Sequence, residues 1–280
     1  MNRRGLRRFL TRGGVRLLLL AFTVWTLGPI AWAVISSLLP TQALIQSPPD
    51  LSPGNFTLGN FAEVLGQGHD LQQGLFNSAI VATSTAAVAL VLGSMAAYAL
   101  ARLQVPGSSR LLLMVLATQM FPGIVIVIPM FIVLSRIGWI DTYQGLVLVY
   151  LSFILPIVIW VLKGFFEAVP PELERAAAVD GASPLQTFRL IVLPISLPPL
   201  FATGVFAFIE AWNEFFFAII LTRINVKTGP IAIAEFSGQY QTLYGQMVAA
   251  AVIASIPVVV LAIVFRQYIL KGFVEGAVKG

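Results

Sequence analysis

The run YQGLVLVYLSFILPIVIWVLKGF, Tyr143–Phe165, carries one charged side chain, Lys163. A helix needs about 20 apolar residues to cross a bilayer, and this run has them. Directly after it comes EAVPPELERAAAVDGASPLQTFRLIVLP, Glu167–Pro194, where charge, glycine and proline return together. A span followed by a compact polar elbow is the pattern on which the fold turns. Working outward, five more stretches have the character of the first: Leu17–Leu39, Leu75–Ala101, Leu111–Ser135, Pro198–Thr222 and Gln246–Leu270. Open backbone cannot sit in hydrocarbon, and no alternating ten-residue pattern suggests a barrel. The expected fold is an all-α integral membrane protein with six transmembrane helices and a two-helix cytoplasmic elbow between helices 4 and 5.

Composition agrees. The 280 residues are 58% hydrophobic and 10% charged, and the mean hydropathy is +0.90. Soluble domains carry about 25% charged residues, so the composition argues against a water-soluble enzyme. Disorder is excluded by the same richness in Leu, Ile, Val and Phe. Cysteine is absent and His69 is the only histidine, which removes disulfides, thiolate metal sites, cysteine nucleophiles and Ser/His triads. His69 lies in a loop beside Asp70 with no ligand partners at metal spacing, so it reads as a solvated surface group.

The basic residues orient the chain. With the N-terminus in the cytoplasm, 14 of the 17 Lys and Arg fall on the cytoplasmic side, and Arg136, Arg223 and Lys227 on the other. Both termini are therefore expected in the cytoplasm. Residues 1–16 form the cytoplasmic N-terminus, 17–270 the permeation domain and 271–280 the cytoplasmic tail. Loops 40–74 and 223–245 are external, and 166–197 is cytoplasmic. The Arg-rich start and Ala31-Trp32-Ala33 look like a signal peptide, but the apolar stretch exceeds a usual signal core, so it reads as an uncleaved anchor. Loop 40–74 is rich in Pro and Gly, with one short helix expected at Asn60–Leu65.

Within the elbow, Pro171 suits the first helical position, and Glu172 and Glu174 favour the first turn against the helix dipole. Ala176, Ala177 and Ala178 continue the helix at low cost. Gly181 fits a left-handed C-terminal cap. Ser183 then caps a second helix with Pro184 at its first position. Leu185 and Phe188, three apart, are expected on one side, and Pro194 ends the unit. Such an elbow either docks into a groove on another protein or lies on the membrane surface as an amphipathic connector.

A carboxylate near mid-bilayer costs about 2.5–3.5 kcal/mol, so it faces a cavity or a partner. Glu210 and Glu214 are four apart and expected on one face of the fifth span, with Trp212 and Asn213 between them. That face either lines a translocation path, makes a polar contact between subunits or lies near the external interface. Gln119, beside Met120-Phe121-Pro122, is a second path candidate in the third span, which Pro122 and Pro129 should kink or break. Asn77, Ser78, Thr83, Ser84 and Thr85 read as glue between helices.

The run Glu172-Leu-Glu-Arg-Ala-Ala-Ala-Val-Asp-Gly-Ala-Ser, with Ile191-Val-Leu-Pro after it, resembles the EAA loop of binding-protein-dependent ABC transporter permeases. Ala176, Ala177, Asp180, Gly181, Ile191, Leu193 and Pro194 match that pattern. The resemblance extends to Thr57-Leu-Gly-Asn-Phe, Asn77-Ser78, Ala96-Ala-Tyr-Ala-Leu-Ala-Arg102, Met120-Phe-Pro and Val278-Lys-Gly280, and is nearest to the smaller subunit of the maltose-type carbohydrate permeases. One departure stands: the Glu of the triplet falls on Arg175, with Glu174 one helical step of about 100° away.

The resemblance implies a permease subunit of an ATP-driven importer of a maltose- or trehalose-like sugar, in a bacterial or archaeal cytoplasmic membrane. It implies a second permease subunit as heterodimer partner, two copies of an ABC ATPase, an external sugar-binding protein and surrounding lipid, and no nucleic acid. ATPase coupling falls to Glu174, Arg175, Ala176, Ala177, Asp180, Gly181, Leu185 and Phe188. The external loop, through Gly238, Gln239, Tyr240, Gln241 and Thr242, either enters the binding protein's sugar cleft or is a plain surface turn. The tail Glu275–Gly280 would reach between the ATPases. The chain is not expected to be an enzyme or to bind a cofactor, since ATP and Mg²⁺ belong to the ATPase. Its lack of a Gly-x-x-x-x-Gly-Lys-Ser/Thr phosphate loop agrees. The alternatives are a proton-coupled secondary transporter using Glu210 and Glu214, which lacks an inverted repeat here, and a membrane enzyme, which lacks His and Cys at usable spacing.

Overall fold

A computed structural model describes residues 3–66, 69–103, 105–238 and 241–268. In chain order the helices are α1 (Arg3–Ser37), α2 (Thr41–Leu44), α3 (Gly59–Gly66), α4 (His69–Arg102), α5 (Ser108–Ala117), α6 (Gly123–Arg136), α7 (Tyr143–Ala168), α8 (Pro171–Val179), α9 (Pro184–Thr187), α10 (Leu193–Ile195), α11 (Leu197–Asn213), α12 (Phe216–Leu221), α13 (Gly229–Ala234) and α14 (Tyr244–Val264). Four of them, from α1, α4, α7 and α14, are long and apolar enough to cross a membrane. Six spans result if each of two bent helix pairs counts as one.

The chain divides into two compact units. The larger holds Asp70–Ala232 and the described residues from Ser255 on. Its core gathers around α7, where Leu146, Val149, Tyr150, Ile154, Val158, Leu162 and Phe166 are almost fully buried. Thr142 starts this helix, its hydroxyl accepting the Gly145 N–H at 3.2 Å. Small residues let neighbouring helices close in. A Cβ at Gly93 of α4 would come 2.6 Å from Val158 Cγ1, and one at Gly204 of α11 would come 2.8 Å from Leu90 Cδ1. Close approach of this kind supplies dispersion contact where lipid offers no hydrophobic gain.

The smaller unit holds the chain up to His69 together with Ile233–Ala254. In α1, Gly14–Ala31 is exposed throughout, and its most apolar window buries nothing within the chain. An apolar helix bare on all sides needs lipid or another subunit around it. Its C-terminal end is tied down by buried Asn60, whose amide donates to the carbonyls of Ser37 at 2.9 Å and Leu39 at 2.8 Å. Ser37 is the last residue of α1, where a helix end leaves carbonyls without an intrahelical partner, and Leu39 lies just beyond it. The short helix α3 that supplies Asn60 lies where loop 40–74 was expected to hold one.

Two expected spans are not single helices. The stretch Leu111–Ser135 is cut into α5 and α6, which meet at 94°. Pro122 drives the residue before it out of the helical region, and Phe121 is extended at φ −76°, ψ 127°. Pro129 leaves α6 unbroken. The stretch Pro198–Thr222 is likewise cut, because Glu214 is extended at ψ 125° between α11 and α12. A further bend of 80° separates α9 and α10 from α11. It falls at Ser196, two residues beyond Pro194, where the elbow was expected to end. Other boundaries also move: α4 starts at His69 rather than Leu75, and α1 at Arg3 rather than Leu17.

Candidate functional site

The elbow is built as its capping residues dictate. Helix α8 has Pro171 at its first turn with Glu172 and Glu174 beside it. It ends before Gly181, whose φ of +83° lies in the left-handed region that side chains with a Cβ resist. Ser183 and Gln186 then form a reciprocal capping box at the start of α9, with bonds of 3.3 Å and 2.8 Å. From Phe188 to Val192 the helix widens to a π turn before α10.

The expected coupling residues separate into two faces. Arg175, Ala176, Asp180 and Gly181 are exposed, Val179 is 88% exposed and Leu185 65%. Ala177 is buried, and so is Phe188 at 7%. Leu185 and Phe188 therefore do not form one apolar side as expected. Positions three apart are offset by about 60° around a helix, and the π turn begins at Phe188, which carries that ring inward. There it packs on Tyr98 of α4 at 4.9 Å and on Phe166 of α7 at 6.1 Å between ring centroids.

Glu174 also points inward. Its carboxylate stands 2.8 Å from Nε of Arg102, with both side chains about one-seventh exposed. The Tyr98 hydroxyl donates to its other oxygen at 3.2 Å. Arg102 in turn donates through Nη2 to the carbonyl of Phe166 at 2.7 Å and to that of Val169. Arg175, at the family's glutamate position, reaches only its own helix, 3.7 Å from Glu172 on the exposed side. The sequence counted Glu174 among the coupling residues, one helical step of about 100° from Arg175. It had no signal for Arg102, which closes the ending Ala96–Arg102 already noted as a motif.

The path candidates are also redistributed. Glu210 and Asn213 are exposed on α11. Trp212 is 5% exposed and stacks on Phe208 at 5.5 Å, so it belongs to the core and not to an open face. Glu214 is no longer helical, and it does not share a face with Glu210 as the four-residue spacing implied. Its carboxylate instead accepts the N–H groups of Phe217 at 2.8 Å and Ala218 at 3.0 Å. A side chain that satisfies the free N–H groups of a new helix competes with continuation of the old one. The proton-coupled reading rested on the pairing of these two glutamates, and that geometry is absent. Gln119 is exposed in the 3₁₀ turn Thr118–Met120, at the break between α5 and α6. The two breaks adjoin, because Gly123 at the start of α6 lies against the rings of Phe216 and Phe217 at the start of α12.

A second polar cluster binds the segment after α12. Asp141, at φ 59°, accepts backbone N–H groups from Arg223, Ile224, Asn225 and Val226 at 3.0–3.1 Å, and the Asn225 side chain at 2.9 Å. Burial pushes the Asp141 carboxyl up, but the four backbone donors outweigh it and hold it below the usual carboxylate range. Fully buried Asn77 donates to the carbonyls of Asn225 at 3.3 Å and Lys227 at 2.8 Å, and accepts from the Tyr143 hydroxyl at 2.7 Å. The Gly229 N–H donates to Ser78 Oγ at 2.9 Å. Asn77 thus joins α4 to α7 through Tyr143, as expected of glue between helices, and with Ser78 it also fastens the segment after α12. Asp141 carried no local signal, because its partners are backbone groups of a segment distant in the chain.

Of the loop residues expected to meet a binding protein, Gly238, Gln241 and Thr242 are described, while Gln239 and Tyr240 lie outside the described residues. Ser237 and Thr242 form an isolated antiparallel bridge, and the Gly238 N–H donates to the Gln241 carbonyl at 3.1 Å. The tail Glu275–Gly280 also lies outside the described residues.

The chain as a whole has relatives among known proteins. The profile of a family described as the binding-protein-dependent transport system inner membrane component matches residues 89–274. The chain belongs to that family. Its members are transport components rather than enzymes. This permease is 38% identical to the trehalose transport system permease protein SugB of Mycobacterium tuberculosis, over 91% of the chain and 93% of that protein. It is 36% identical to the trehalose/maltose transport system permease protein MalG of Thermococcus litoralis, over 90% and 91% respectively. In fold it resembles a chain of a bacterial ABC transporter involved in the import of the acidic polysaccharide alginate, with a TM-score of 0.76, 22% identity and coverage of 96% and 99%. The permease is a multi-pass membrane protein, and membership in the family leaves no support for secondary transport.

Proposed function

We propose that this permease is one of two membrane subunits of an ATP-driven importer of a trehalose- or maltose-like sugar. An external solute-binding protein delivers the sugar, and two copies of a separate ATPase hold the ATP and Mg²⁺. Both termini lie in the cytoplasm, six spans cross the membrane with α5–α6 taken as the third and α11–α12 as the fifth, and the elbow Pro171–Ile195 faces the ATPase. The sugar class is supported by the names of the relatives at 38% and 36% identity.

The observation that carries the coupling role is the outward face of the elbow. Val179 and Leu185 stand 88% and 65% exposed on either side of the Gly181 turn, with Ala176 exposed beside them. Two apolar knobs flanking a small-residue patch suit insertion into a groove on another protein. Closure of an ATPase pair would pull on such knobs and rock the membrane subunits between two access states.

The translocation path is assigned to the adjoining breaks near Gln119, Gly123 and Phe217, with Glu210 and Asn213 as polar groups toward it. Non-helical backbone at membrane depth is tolerated only within protein or beside a water-filled cavity. The loop after α13, with Gly238, Gln241 and Thr242, is assigned to the binding-protein side.

The deciding experiment reconstitutes the chain with its partners in vesicles and measures uptake of trehalose and maltose. Uptake that requires ATP and survives collapse of the proton gradient is the expected result. Uptake without an ATPase, driven by the gradient, would overturn the reading.

A further inference from the structure

The ATPase-facing elbow must pass force into the spans, and one cluster of side chains joins them. Arg102 ends α4, and its guanidinium does two things at once. Through Nη2 it donates to the carbonyl of Phe166, in the last turn of α7, and to that of Val169, which caps the helix. Through Nε it faces Glu174 of α8 at 2.8 Å. The approach is ionic rather than a directed hydrogen bond, since neither atom meets hydrogen-bond geometry. Tyr98, one turn before Arg102 on the same helix, donates to the second oxygen of Glu174 at 3.2 Å. Beneath them the rings of Tyr98, Phe166 and Phe188 meet in tilted and edge-on pairs at 4.9–6.4 Å.

Helix α8 is thus held by charge and the following π turn by aromatic packing, both onto the same ends of α4 and α7. A planar guanidinium with several fixed donors can serve a carboxylate and two carbonyls together, which an ammonium cannot do with the same geometry. The outward residues of the elbow play no part in this cluster.

We propose that Arg102 and Glu174 are positioning residues that lock the elbow to α4 and α7, so that displacement of the elbow moves both spans. This rests on the coupling role given to the elbow above. In it, Glu174 does not touch the ATPase and acts through Arg102. The contact surface toward the ATPase is left to Arg175, Ala176, Val179 and Leu185.

The test uses the whole transporter, chain and partners together, in vesicles with trehalose and maltose as probes. It compares wild type with Glu174→Gln, which keeps shape and loses charge. The expected result is ATPase co-purifying as in wild type, ATP hydrolysis retained, and sugar moved per ATP reduced at least about fivefold, the lower end of typical coupling between sites. A fastening that served stability alone would lower the yield of inserted protein and leave sugar per ATP unchanged, and that result overturns the proposal. Loss of the ATPase from the purified Glu174→Gln complex also overturns it, because Glu174 would then be a direct contact. If the Gln variant fails to insert, Tyr98→Phe removes one anchor of the same carboxylate. Its sugar per ATP should fall in the same direction by a smaller factor, and no change would count against the lock. A wild-type chain that retains no ATPase refutes the coupling role of the elbow itself, which is a separate outcome.

Discussion

Gly123 lies against the ring of Phe217 so closely that a Cβ there would come 3.2 Å from the ring's Cζ. The two residues open α6 and α12, so the contact joins the two broken spans at their breaks. A side chain here would crowd the ring, while the backbone conformation makes no demand for glycine. Replacing Gly123 by Leu forces the rings of Phe216 and Phe217 aside, at a cost of about 1–3 kcal/mol for overpacking. Uptake per inserted transporter should drop severalfold while the amount of inserted protein changes little. Unaltered uptake would detach the breaks from the transport path.

Gly181 presents the opposite case. A Cβ there meets nothing within 4 Å, yet φ is +83°. Strain therefore comes from the backbone alone, about 1–2 kcal/mol for a side chain in the left-handed region. Asn, which tolerates that region, should retain sugar uptake per ATP, whereas Val should lose it. Measuring both variants in the same vesicles separates backbone geometry from bulk, since equal losses would point to a steric contact with the ATPase instead.

Asp141 gives a pH dependence. Its carboxyl is held below the ordinary range in the folded chain, while an unfolded Asp titrates at about 3.9. The clamp's contribution is fully present above that unfolded value and is lost as pH falls through the lower folded one. Asp141→Asn keeps a residue at ease with φ 59° but removes the charge, and should cost about 1–3 kcal/mol at pH 7. The gap in melting temperature between wild type and variant should narrow below about pH 4. A gap that stays constant with pH would show that the charge is not what holds residues 223–226.

The helical membrane architecture was readable because hydropathy reports spans directly, and the elbow because Pro171, Gly181, Ser183 and Pro184 each carry a local backbone preference. Breaks were harder. Pro122 announced one through the residue before it, but nothing in the window around Glu214 distinguishes a helical glutamate from one that turns to cap the next helix. Periodicity then placed Glu214 with Glu210 and left Trp212 on the same face, though Trp212 packs on Phe208. The inward turn of Glu174 depended on Arg102, far away in the chain, and long-range pairing of this kind has no local signature. The same holds for Asp141, whose partners are backbone groups of a distant loop.

The division of α11 yields the last prediction. Glu210 and Asn213 are exposed and make no core contact that their removal would empty, so Glu210→Gln and Asn213→Ala should change stability by no more than about 0.5 kcal/mol. Trp212 is 5% exposed, and Trp212→Ala should cost about 3–5 kcal/mol through the cavity it leaves. If Glu210 and Asn213 face the sugar's route, their variants alter the KM or the turnover of uptake at wild-type melting temperature, whereas Trp212→Ala lowers melting temperature and yield together. Asn77→Ala is the control for a polar residue outside the route. It strands the carbonyls of Asn225 and Lys227 and should lower stability with KM unchanged. Variants of Glu210 and Asn213 with wild-type kinetics would shift the route to the other membrane subunit and leave this face of α11 as a contact between the two.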